Sequence, residues 1–274
     1  MNTFSNTLRE FNGEQVIPDN SQEKVMRLMM KQGWLALGVV LSLGMPFQGL
    51  AGDAKTPEKT FDAPMGLKLS VKQIGPVTQV TDLQILCVLK HDPAGDQYIE
   101  AMQDFNAKQG GLLSSLRERG EFVGELGETF LYTPPPRSIT PKRVLLIGVG
   151  EAKDVSLDKL RLVGRIALRE AVRLGAKNVS FAPTLRDQGS TVIDVGEGDA
   201  AVVEQMLLAY DTEKRLQQQG LAPKFNLSSW VIEAGPKYFE GVTTHVEDAV
   251  KAANEQIKQR VDKPYVSATP APAR

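Results

Sequence analysis

The stretch RVLLIGVGEAKDVSLDKLRLVGRIALREAVRLGAKNVSFAP, Arg143 to Pro183, decides the fold. RVLLIGV (143–149) is a short apolar run rich in branched side chains, the composition of an interior strand. Ser156 is placed to cap a helix in which Leu160, Val163, Ala167, Ala171 and Leu174 recur at spacings of three and four. That apolar stripe closes at Gly175, and KNVSFAP (177–183) returns to strand character. Strand, helix, strand is a βαβ unit, which calls for a sheet at least partly parallel and covered by helices on both faces.

Working outward, LKLSVKQI (67–74) alternates with a period of two, and DLQILCVLK (82–90) is continuously apolar and so more central. A helix follows near Gln97 to Lys108, with Ile99, Met102 and Phe105 on one side and Gly110-Gly111 as its end. LLSSLRERG is a second short helix. ETFLYT (128–133) reads as a strand stopped by Pro134-Pro135-Pro136. Downstream, Asp199 begins a helix with Val203, Met206, Leu207 and Tyr210 on one face, and SSWVIEA (228–234) is a strand. Thr244-His245-Val246-Glu247 fits a capping box for a last helix that turns Val246, Ala249, Val250, Ala253 and Ile257 inward.

These elements occupy residues 66–240, followed by a connecting helix at 241–262 and a disordered tail at 263–274 that ends SATPAPAR. Residues 52–65, GDAKTPEKTFDAPM, read as a flexible tether. Residues 1–51 read as a leader. Within it, Arg27 and Lys31 precede an apolar stretch from Trp34 to Met45, with small residues at Gly49 and Ala51, the order of a signal peptide spanning about 26–51. Export to the periplasm or the outside is therefore expected, with Gly52 as the first mature residue. The alternative is a membrane anchor formed by an uncleaved leader.

In a chain of 274 residues, 32 Lys and Arg nearly balance 33 Asp and Glu, so no bulk field draws it to nucleic acid or an anionic membrane. Cys87 is the only cysteine, which excludes an internal disulfide and a thiolate zinc cluster; its apolar context makes it a core residue. His91 and His245 are too far apart for a local metal motif.

Gly148 and Gly150 follow a strand and precede a helix, a place where backbone N–H groups can hold an anion. Lys153 stands where a dinucleotide fingerprint wants a third glycine, and no Walker loop follows, so a tight βα turn competes with a ligand cradle. Arg161, Arg165, Arg169 and Arg173 lie four apart, either an anion-binding ladder or a solvated face. Gly196-Glu197-Gly198-Asp199 reads as a loop with acidic residues before a helix start, where carboxylates cap. The candidate ligand-binding residues are thus Gly148, Gly150, Arg161 and Arg165. No catalytic or metal-binding constellation emerges.

The order of elements, with GGLLSSLRERGEFVGELGETFLY, the strand ending Gly148-Val149-Gly150 and EQMLLAYDTEKR around Tyr210, resembles the N-terminal domain of the leucyl (cytosol) aminopeptidase family over roughly Leu67 to Arg260. The resemblance implies a three-layer α/β/α macro-domain-like mixed sheet. It also implies a separate catalytic domain binding two divalent metals, whose metal-binding and catalytic residues match nothing in this sequence. The leading expectation is an exported, non-catalytic, stand-alone domain that binds a protein partner or ligand, without a cofactor of its own and without nucleic acid. A homo-oligomer is possible. The alternatives are the non-catalytic part of a metalloaminopeptidase whose catalytic chain is separate, and a macro-like binder of a nucleotide or other anionic small molecule.

Overall fold

The structure is a computed structural model that describes residues 56–265. The leader and the last nine residues of the tail lie outside the described residues. Seven strands form one mixed sheet: β1 (Glu58–Asp62), β2 (Lys68–Lys72), β3 (Leu83–Leu89), β4 (Thr129–Tyr132), β5 (Val144–Gly150), β6 (Asn178–Ala182) and β7 (Ser229–Glu233). Their spatial order is β1-β2-β7-β6-β3-β5-β4. The five inner strands run parallel, and the outer two, β1 and β4, run antiparallel to their neighbours.

Alternation along the strands sorts the side chains to two faces. Leu145, Ile85, Phe181, Ile232 and Val71 form a register row across the sheet. This row belongs to an apolar cluster shared with α3 (Leu157–Arg173), α4 (Val195–Gln218) and α5 (Phe239–Lys258). The neighbouring row, Leu146, Leu86 and Ala182, faces α1 (Glu100–Lys108) and α2 (Leu112–Glu118) through Met102, Phe105, Leu113 and Leu116. Strand β3 supplies both clusters and is buried along its whole length, which is why its sequence lacks polar alternation. Three layers, α/β/α, result.

Helix α3 matches its sequence closely: the Ser156 hydroxyl accepts the Lys159 N–H at 3.4 Å, and Leu160, Val163, Ala167, Leu168 and Ala171 are buried. Three expectations are corrected. Residues 58–62 are strand β1 rather than tether, because they pair with β2 from Glu58↔Lys72 to Asp62↔Lys68 and bury Phe61. Helix α4 starts at Val195, with the Asp194 carboxylate accepting the Gly196 and Glu197 N–H groups at 2.9 and 3.2 Å, so Gly196-Glu197-Gly198-Asp199 is its first turns and not a loop. Gly196 serves packing there: a Cβ would lie 2.5 Å from His245 Nδ1 of α5. Helix α5 starts at Phe239, so Thr244 lies inside it and its hydroxyl donates to the Glu240 carbonyl instead of capping. With Val242, Val246, Ala249, Val250 and Ala253 buried, α5 is part of the covering layer and more than a connector.

Candidate functional site

Chain leaving β3 passes to α1 on one face, whereas chain leaving adjacent β6 passes to α4 on the other. Such a reversal opens a crevice beyond the carboxyl ends of the strands, where α/β sheets bind ligands. Here the crevice between β3 and β6 is closed by residues 183–190. The Thr184 hydroxyl and the Gln188 amide donate to the Cys87 carbonyl at 2.7 and 2.9 Å, and Gln188 Oε1 accepts the Leu89 N–H at 2.9 Å. Thr184 holds φ at 48° to make this clamp, a strained conformation for a β-branched residue.

Beside the clamp, beyond the ends of β2, β7 and β6, lies a cavity of about 430 Å³. That is within the range of small-molecule sites. Gln73 to Pro76, Pro183 to Asp187, Glu233 to Pro236 and the first turns of α4 line it, with Leu160 and Val202 among its apolar walls. Its charged lining is unbalanced: Glu100, Asp187, Asp194, Asp199 and Glu233 against Arg186. The Arg186 guanidinium is itself engaged, 5.9 Å over the Tyr238 ring and 3.4 Å from its hydroxyl.

Asp199 is wholly buried and neither carboxylate oxygen has a hydrogen-bond partner. Burial pushes its carboxyl well above the usual range, and the charge of Asp194 adds to the shift. Glu233 is 5% exposed; Ser180 Oγ donates to its Oε1, and its Oε2 has no partner. Burial pushes this group up to about 7 against the opposing pull of the Ser180 hydroxyl, the nearby Gln84 side chain and the Lys72 charge. Asp187 is pushed up to about 6 by burial and by Glu100. Of these acids the sequence marks only Asp199, and as a helix-capping carboxylate; its place on the same stripe as Val203, Met206 and Tyr210 is the readable signal of a buried acid.

The four residues singled out from sequence lie elsewhere and are not among those lining the cavity. Gly148 donates its N–H to the Glu128 carbonyl and Gly150 to the Gly124 carbonyl, at 2.8 and 3.0 Å. A Cβ on Gly148 would lie 2.0 Å from the Glu125 carbonyl oxygen, so this glycine admits the 124–128 turn against β5. That turn aims the N–H groups of Val123, Gly124 and Glu125 at the Glu128 carboxylate, which occupies the nest an external anion would use. Arg161 bonds Asp158 at 2.8 Å and Arg165 bonds Gln205 at 2.7 Å, along the α3–α4 seam.

Cys87 is fully buried, its thiol pushed above the usual range by burial. Asp96 gathers a second network, taking Nε and a terminal guanidine N–H of Arg117, His91 Nδ1 at 2.9 Å and the Tyr98 hydroxyl at 3.2 Å. It pins the 90–98 segment to α2, and the Arg117 side chain is 1% exposed. Among the described residues, no three His, Cys, Asp or Glu side chains form a metal-binding set.

Residues 86–219 match the model of the family described as "Cytosol aminopeptidase family, N-terminal domain". Two curated relatives, both probable cytosol aminopeptidases, come from Pseudomonas syringae pv. tomato and Halorhodospira halophila. They are 29% and 32% identical over 116 residues, which is 42% of this chain. The chain spans 22% and 23% of the length of those relatives. Among solved structures, a tomato leucine aminopeptidase variant superposes with a TM-score of 0.51 at 20% identity, covering 74% of this chain and 38% of that one. A variant of the Oceanobacillus iheyensis macrodomain gives 0.50 at 11% identity, covering 75% of this chain and 98% of that one. Both likenesses support the three-layer fold.

Proposed function

Because residues 86–219 belong to the N-terminal domain of the cytosol aminopeptidase family, we propose that this chain serves as an exported, non-catalytic module that binds a small molecule beyond the ends of β2, β7 and β6. The observation that carries the reading is the cavity itself, apolar in its walls and holding buried carboxylate oxygens that no protein group satisfies. Buried polar atoms left without partners are rare in folded proteins, and three of the seven among the described residues belong to two acids that line this cavity. The leader's order of charge, apolar stretch and small residues supports export.

Two measurements test the proposal. The purified full chain, supplied with manganese or zinc, is expected to leave leucine p-nitroanilide intact; turnover overturns the non-catalytic reading. Small molecules extracted from the native chain and identified by mass spectrometry are expected to be lost from Gly235→Phe. A Cβ there meets nothing nearer than Tyr238 Cδ2 at 3.9 Å, so the backbone admits a side chain at a position that lines the cavity. Equal recovery from both proteins counts against the site. Export predicts that protein recovered outside the cytoplasm begins at Gly52.

The family match also supports a second reading, a non-catalytic part of a metalloaminopeptidase whose catalytic chain is separate. Co-purification of a peptidase chain with restored turnover is its test. A phosphate-bearing ligand is disfavoured by the acidic lining and by Asp194, which already occupies the leading N–H groups of α4.

A further inference from the structure

We propose that the cavity takes a ligand carrying a protonated amine on an apolar body, with the ammonium drawn to the buried acids of its lining, Asp199 and Glu233. The inference rests on the ligand-binding reading above and names the chemistry of that site.

Three independent features point the same way. Asp199 and Glu233 line the cavity from different elements, α4 and β7. Each is more than nine-tenths buried, and three of their four carboxylate oxygens lack a partner. An ammonium supplies the donors that these oxygens want. The charges facing this space are Glu100, Asp187 and Asp194 beside the two acids, and Arg186, which is held by Tyr238. Lys72 acts on Glu233 at longer range and gives its own Nζ to Gln79 at 3.2 Å. The charged lining is therefore mostly acidic, and an arriving cation relieves repulsion between Glu100 and Asp187.

The apolar walls decide what kind of cation. Leu160, Ile193, Val202 and Pro236 offer no oxygen ligands, and among the described residues no metal-binding donor set exists. A calcium or magnesium ion takes about six or more oxygens, whereas an organic amine uses both the wall and the acids. Backbone strain falls at the same place: Glu100 and Thr184, two of the four non-glycine residues with positive φ among those described, line this cavity.

The test uses the full chain and three probes of one shape: phenethylamine, phenethyl alcohol and phenylacetate. Calorimetry at pH 8 is expected to show the amine bound at least about tenfold more tightly than the alcohol, the scale of one charge-assisted hydrogen bond, with phenylacetate excluded. Asp199→Asn and Glu233→Gln keep the side-chain shapes, so the folded cavity persists; each is expected to abolish the preference for amine while leaving alcohol binding in place. Amine binding is further expected to strengthen between pH 5 and pH 8, because Glu233 titrates near about 7 and pairs only when ionised. Equal affinity for amine and alcohol, or preference for phenylacetate, overturns the charge assignment and leaves the ligand site standing. Failure of all three probes overturns the assignment, and equal small-molecule recovery from Gly235→Phe then removes the site as well.

Discussion

Gly148 illustrates how one atom decides between a turn and a clash. Gly148→Ala puts a methyl group against the Glu125 carbonyl, backbone that cannot swing aside. Overpacking of this kind is expected to cost about 1–3 kcal/mol, read as a lower denaturation midpoint with unchanged m-value. The buried acids act in the opposite sense. Folding lifts Glu233 to about 7 and Asp187 to about 6, so the native state keeps protons that the unfolded chain releases. Their contribution to stability is greatest below about pH 4 and declines as pH rises through those values. Glu233→Gln and Asp187→Asn are therefore expected to raise the melting temperature at pH 8 and to change it little at pH 4; a gain confined to acid pH contradicts this account. The glycine pair was legible in the sequence as a turn ahead of a cradle, but what fills the nest was not, since Glu128 and residues 123–125 lie some twenty residues earlier in the chain. The cavity acids were illegible for a related reason. Asp199 and Glu233 come to line one cavity only after β7 takes its place beside β6.

At the scale of elements, local signals read well where the chain itself carries the information. The stripe of α3 and the Ser156 cap are encoded within a single helix, and so they were found. Strand β1 carries one apolar side chain, Phe61, in EKTFD; its extended form comes from pairing with β2, a relation no local pattern contains. Helix α5 misled through a capping signature at Thr244, because its true start at Tyr238 has no side-chain cap to advertise it. The consequence is testable. Ending the chain before Phe239 strips the cover from Trp230, Ile232 and Val71, all essentially inaccessible in the folded protein. Each such side chain contributes about 1.5–3 kcal/mol by burial, so the three together are comparable with a typical domain's margin of about 5–15 kcal/mol. The truncated chain is expected to lose its near-ultraviolet circular dichroism; a native spectrum restores the view of α5 as a connector. Asp211 reinforces the packing, since its buried carboxylate takes Arg215 and Arg260 and thereby ties the end of α5 to α4.

For the molecule as a whole, the three layers implied by the βαβ reading and by the family resemblance are present. The two apolar clusters are coupled through one sheet, because β3 and β5 send side chains into both. Far-ultraviolet dichroism and Trp230 fluorescence, measured in a Trp34→Phe variant, are therefore expected to report coincident urea transitions for the described domain. Separated midpoints show that the α1–α2 side melts on its own.

The antiparallel outer strands carry a consequence for crowding. Along β1, Glu58, Lys59, Thr60 and Asp62 stand outward, so a foreign strand attempting to extend the sheet there meets charge. At the opposite border, β4 leaves Leu131 39% accessible and is followed by three prolines that cannot donate to a growing ladder. Self-association through continued pairing is thus blunted on both sides by different means, charge along β1 and proline after β4.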